Sequence, residues 1–363
     1  MKARCPDIPH RHQKRMSPEL SIPQPTLFKA YEFSGLDSPV KHLLPHMKNL
    51  AARIAPTKQS VAELYCKEVT LKITNDGQWK FHYVIETKTI VLSRKSLEIL
   101  WASSYAYLIY FTDVVQAKGL LTPLTDNKET KVIDLEKIPS AYGAMNLLAW
   151  AFGNWISKVD TPWPHDLAKP IRNPKSDSSE NLADELTLCA VAFLLHHELA
   201  HSHLNHEPET VSFDKISQER DADYSAAEFL LSGLAPNDRF FIKKSLAIAI
   251  AVSNPIGQGI YTGYWGGNTH PRAYDRLVHV LDRFIDDKFP FHEAWIFSWS
   301  IIKLHIDGSK LANTLSVNNA PAKVDSYRHL LDLFINDLSN LPDSFADEEH
   351  LDRPSEEAEE SEL

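Results

Sequence analysis

The sequence predicts an α+β fold: a small antiparallel sheet followed by a mostly helical body. Three observations carry this. Short alternating apolar runs cluster between residues 69 and 92. Longer segments with helical spacing dominate beyond residue 93. The 363 residues are 43% hydrophobic and include eight tryptophans, enough to build a sizeable core.

In chain order, residues 1–35 hold five prolines and little periodicity, and read as a flexible lead. Residues 36–180 form an α/β part. It opens with a helix over Pro39–Ala55. Val69–Ile73 and Trp79–Ile85 alternate on either side of Asn75-Asp76-Gly77, which predicts a hairpin. Thr89–Leu92 adds a third strand and is the expected free edge. Helices follow over Ser93–Val115 and 141–158. Four prolines between Asp160 and Ser179 mark a loop.

Residues 181–340 form a helical part. Its first helix begins at Asn181 or Asp184 as N-cap and carries the apolar run Ala190–Leu195. Asn205 suits the left-handed position that ends it, with Pro208 beyond. A second helix runs from about Asp214 to Leu231 and is closed by Gly233 and Pro236. Residues 341–363 form a disordered acidic tail. From Pro342 onward there are ten acidic residues and one arginine, so this end holds most of the net charge of −10. The remainder is near neutral, which argues against a nucleic-acid partner.

Cys5, Cys66 and Cys189 are odd in number and widely spaced. They suit a reducing, cytoplasmic setting rather than a disulfide framework. No apolar segment follows the basic N-terminus, and no uninterrupted apolar run is long enough for a transmembrane helix. Peripheral membrane association stays open.

The chemistry lies in the helical part. His197-Glu198-Leu199-Ala200-His201 reads H-E-x-x-H. On a helix, positions i and i+4 share a face, so both imidazoles can converge on one metal ion while Glu198 reaches a water beside it. Two imidazoles and a carboxylate base suit a hydrolytic zinc site. Catalytic zinc takes a third protein ligand. Glu219, on the next helix, supplies it, and Asp223 one turn later faces the same way to brace a ligating histidine. The alternative for this pair is a solvated acidic face matched with Arg220. His196 and His203 fall on other faces and read as packing histidines. His206 reads as a surface or packing histidine too, and is the first candidate for an exception because it lies at the helix end near the second helix.

H-E-x-x-H followed by Glu219-x-x-Ala222-Asp223 resembles the gluzincin class of zinc metallopeptidases. Thr269-His270-Pro271-Arg272, with Arg276 a turn later, is similar to an H-P…R element of related peptidases. Among soluble members the chain most resembles the Lit-type phage-exclusion peptidases of bacteria. The resemblance implies a zincin-like body, zinc held by His197, His201 and Glu219, and a protein or peptide substrate, with a translation factor as the implied target. Glu198 is then the catalytic base. His270 is the first candidate for a catalytic oxyanion donor, with Tyr261, Tyr264 and Tyr274 behind it; its alternative is a loop-capping role. Two other functions remain open: a non-catalytic zinc-stabilised protein that binds a partner, and a regulatory peptidase that cleaves a repressor or antitoxin.

Overall fold

The computed structural model describes residues 27–33, 38–55, 57–117, 137–206, 212–262, 271–286, 288–290, 292–307 and 326–339. Most of the expected lead and all of the expected acidic tail lie outside these residues. The described part is α+β, with a four-stranded sheet against a larger helical body.

The strands are β1 (Ala30–Phe33), β2 (Thr70–Thr74), β3 (Phe81–Val84) and β4 (Thr89–Ser93), in spatial order β1-β2-β4-β3. The sheet is mixed rather than antiparallel. β1 with β2 and β2 with β4 run parallel, and only β3 with β4 runs antiparallel. The expected hairpin across Asp76-Gly77 does not form, because β4 lies between its two strands. β3 instead turns directly into β4 through residues 85–88, where Lys88 takes the left-handed conformation with φ 48°. Burial explains the order. Ile90 and Leu92 of β4 are fully buried, as suits a central strand, whereas β3 is only partly covered. β3, not Thr89–Leu92, is therefore the edge strand on that side. Gly77 serves a close approach instead of a hairpin turn, since a Cβ there would run into the side chain of Asp160.

The predicted helix over Pro39–Ala55 is broken into a 3₁₀ turn (Pro39–Leu43), α1 (Leu44–Met47) and α2 (Leu50–Ile54). Pro45 has no N–H for the Lys41 carbonyl, which favours a break there. After α3 (Gln59–Cys66), α4 (Arg94–Tyr110) starts at Ser93, whose hydroxyl accepts from the Ser96 N–H at 3.1 Å. It is buried along almost its whole length. α5 (Pro139–Ser157) packs on it.

α6 (Ser179–His203) is capped by Ser178, which accepts from the Asn181 N–H at 3.3 Å. The expected caps are used elsewhere. Asn181 donates to the Ser176 carbonyl at 2.7 Å. Asp184 is buried and accepts from Trp101 Nε1 at 2.7 Å and from His42 Nε2 at 2.8 Å. Asn205 does end the segment in the left-handed conformation, with φ 54°.

α7 (Ser212–Leu231) packs against α6, and Gly233 closes it at φ 78°. α8 (Arg239–Thr262), α9 (Ala273–Asp282), α10 (Glu293–Asp307) and α11 (Tyr327–Ser339) complete the body. α6 is enclosed by α2, α4, α7 and α8. Lys244 of α8 donates to the carbonyls of Ile54 (2.7 Å) and Leu230 (2.9 Å), tying down the ends of α2 and α7. The stretch Arg239–Ile260 is long and apolar enough to cross a bilayer, but 72% of its apolar window is buried inside the protein, as in a core helix.

Candidate metal centre and cleft

α6 and α7 bring His197, His201 and Glu219 together. The two Nε2 atoms lie 3.1 Å apart. Glu219 Oε2 is 3.4 Å from His197 Nε2, and Oε1 is 3.4 Å from His201 Nε2. A tetrahedral zinc with donors at about 2.0–2.1 Å holds those donors about 3.3 Å apart. The observed spacing matches that requirement, and the two-nitrogen, one-carboxylate donor set is one that zinc accepts.

Asp223 lies on the far side of His197. Its Oδ1 is 2.9 Å from His197 Nδ1, so it accepts that proton and leaves Nε2 facing Glu219. Arg276 of α9 holds Asp223 from behind, with Nε to Oδ2 and an Nη to Oδ1, each at 2.7 Å. Burial alone would raise the Asp223 pKa, but Arg276 and His197 outweigh it and hold the carboxyl at about 2. Arg276 itself is raised: burial opposes its charge, and Asp223 more than compensates.

Burial also opposes a charge on His197, yet Asp223 and Glu219 raise it to about 10. His201 goes the other way, to about 3, through burial and the neighbouring His197. The two rings thus accommodate one positive charge between them, beside the Glu219 carboxylate.

Glu198 points into the same cleft. Burial pushes its carboxyl up to about 7; Glu219 adds to the rise, while His197, the Tyr83 backbone N–H and Arg276 pull it down. A buried carboxylate titrating near neutrality can both take and return a proton. The Tyr83 contact also places the β3 edge against Glu198.

The cleft has a volume of about 560 Å³. One wall is apolar and aromatic. Trp79 and Trp155 stack with ring centroids 4.6 Å apart, and Phe81, Phe193 and Pro255 continue the surface. The cleft is also lined by His197, His201 and Glu219, the candidate metal-binding triad, and by Lys215 and Gln218. Trp79 and Trp155 escaped the sequence reading because neither belongs to a motif. The only signal was the aromatic richness of the helix that contains Trp155.

His196 donates to the Ala51 carbonyl at 2.9 Å and stacks on Phe229; His203 donates to the Leu199 carbonyl at 2.8 Å and stacks on Tyr65. Both are packing histidines, as expected. Tyr274 is buried, accepts from Arg272 at 2.7 Å and is not among the described cleft-lining residues. His270 and Tyr264, and the side chain of Tyr261, lie outside the described residues.

A buried carboxylate beside three convergent donors, open to a cleft along a strand edge, has the layout of a hydrolytic site. The chain belongs to the Peptidase U49 family, whose model matches residues 90–295. That span takes in all of β4 but Thr89, α4–α9 and every residue of the triad and its braces. The chain is also 25% identical over 291 residues to the cell death peptidase of Escherichia coli (strain K12), covering 77% of this chain and 95% of that relative. No solved structure matches.

Proposed function

We propose that the protein is a zinc-dependent endopeptidase in which His197, His201 and Glu219 hold the metal and Glu198 is the catalytic base. The observation that carries this is the set of donor separations, 3.1, 3.4 and 3.4 Å, with Glu198 opening onto the same cleft.

Zinc, when bound, would acidify a water and polarise the scissile carbonyl. Glu198 removes a proton from the attacking water as its oxygen bonds to the carbonyl carbon. It then delivers that proton to the leaving amine nitrogen as the C–N bond breaks. Asp223 and Arg276 fix His197 so that this geometry persists through the cycle. His270 keeps the role of candidate oxyanion donor that its H-P…R element suggests.

An extended substrate pairs with the edge of β3 through main-chain hydrogen bonds, and the Trp79–Trp155 wall receives an apolar side chain near the scissile bond. A protein substrate follows from peptidase family membership. A bacterial phage-defence role and a translation factor as target rest on the Lit-type resemblance, and the name of the Escherichia coli relative supports a lethal proteolytic event. A cytoplasmic setting is supported by the free, buried Cys66 and Cys189.

A non-catalytic zinc scaffold calls for four protein ligands. Among the described residues the potential donor group has three members, which favours the enzyme. The test is a map of new protein termini in cells expressing the wild-type chain or Glu198→Gln. Cleavages confined to the wild type support the proposal; identical maps contradict it.

A further inference from the structure

His206 is the histidine that the metal triad leaves over. It is outside the group of three convergent donors, yet its Nδ1 lies 2.8 Å from His201 Nδ1. The rings meet edge-on, with centroids 4.9 Å apart and planes at 70°. The backbone creates the contact. Asn205 reverses the chain in the left-handed conformation, and the His206 N–H returns to the His201 carbonyl at 3.1 Å. One turn therefore ties His206 to His201 through both main chain and side chain.

We infer that His206 is a positioning residue for His201, accepting its Nδ1 proton so that Nε2 presents a lone pair to the metal site. This rests on the zinc reading above. The direction follows from proton count. Two facing imidazole nitrogens can share a hydrogen bond only if one carries the hydrogen. With the hydrogen on His206, a neutral His201 would carry its own on Nε2, facing His197 and Glu219, and could not ligate. With the hydrogen on His201 Nδ1, its Nε2 is bare. A ligating histidine normally donates its outer N–H to a carboxylate, carbonyl or water. Here His197 uses the buried Asp223, and His201 uses a neutral imidazole at the cleft wall. The two histidines are thus braced by different chemistry, one by a buried carboxylate of α7 and one from the turn that ends α6.

The test compares full-length His206→Ala, His206→Gln and His206→Lys with the wild type. Zinc affinity is read by competition with a chromophoric chelator, and ligand geometry by the absorption spectrum of the cobalt-loaded chain. Glutamine offers an acceptor oxygen, whereas lysine can only donate. Alanine and lysine are expected to weaken zinc binding by about 10–100-fold, and glutamine to restore most of it with a wild-type-like cobalt spectrum. Melting of the chelator-stripped chains separates binding from folding. Unchanged zinc affinity in His206→Ala would overturn the role, as would His206→Gln binding no better than His206→Lys; the latter is also the outcome if His206 is itself a ligand. A wild-type chain that binds no zinc would instead overturn the metal reading on which this role rests.

Discussion

Arg276 grips Asp223 with two hydrogen bonds of 2.7 Å, so the carboxylate that braces His197 is itself fixed by a third helix. This links α9 to the α6–α7 site. His197 cannot reorient unless Asp223 moves, and Asp223 cannot move without breaking a two-pronged ion pair.

Asp223→Asn is expected to weaken zinc affinity by about 10–100-fold, the usual cost of losing a carboxylate behind a ligating histidine. Competition with a chelator measures it. The variant also changes acid stability. Arg276 and His197 hold the folded Asp223 pKa at about 2, below its ordinary value of 3.8. Its stabilisation is therefore complete above pH about 3.8 and lost as pH falls toward 2. The stability gap between metal-free wild type and variant should narrow across that window. A gap that is constant with pH would show that the Asp223 charge contributes nothing.

Glu198→Gln is expected to keep zinc and lose cleavage by at least about 10²-fold. It should also stabilise the metal-free chain at alkaline pH. The Glu198 carboxyl is raised from 4.5 to about 7, so the folded state favours its neutral form. That contribution is complete below pH about 4.5 and is lost as pH rises through 7. At pH 8 the chelator-stripped variant should exceed the wild type by on the order of 3 kcal/mol in urea unfolding, and the advantage should vanish near pH 4. Equal stability at pH 8 would mean that Glu198 is not buried as described.

Lys244→Met keeps the side-chain length but leaves the carbonyls of Ile54 and Leu230 without their shared donor. The expected loss is about 1–3 kcal/mol for each buried carbonyl left unpaired. Chemical denaturation measures it. A neutral result would show that water replaces the ammonium at both helix ends.

Gly77→Ala tests the corrected topology. In the predicted hairpin, alanine would be strained by a left-handed turn. In the structure Gly77 is not among the positive-φ glycines, and the added Cβ meets Asp160, whose carboxylate pairs with Arg94 and Lys95. The expected cost is about 1–3 kcal/mol from crowding. If removing the Asp160 side chain as well (Asp160→Gly) leaves the Gly77→Ala penalty unchanged, the contact is not its source.

These sites show what local sequence can and cannot reveal. His197, Glu198 and His201 were legible because helical geometry turns a five-residue spacing into one face. Glu219 and Asp223 were legible because a short connection packs α7 on α6. Strand order was not, since β2 and β3 alternate equally well whether paired with each other or separated by β4. The N-cap of α6 was misassigned because Asp184 is claimed by Trp101 and His42, residues 83 and 142 positions away. The Trp79–Trp155 wall is likewise a long-range pairing with no local signature.

The central claim is that His197, His201 and Glu219 hold zinc. Elemental analysis of the full chain, purified without chelators, tests it most directly. About one zinc per chain is predicted, falling to none in His201→Ala; a wild-type chain that neither carries zinc nor takes it up would contradict the claim.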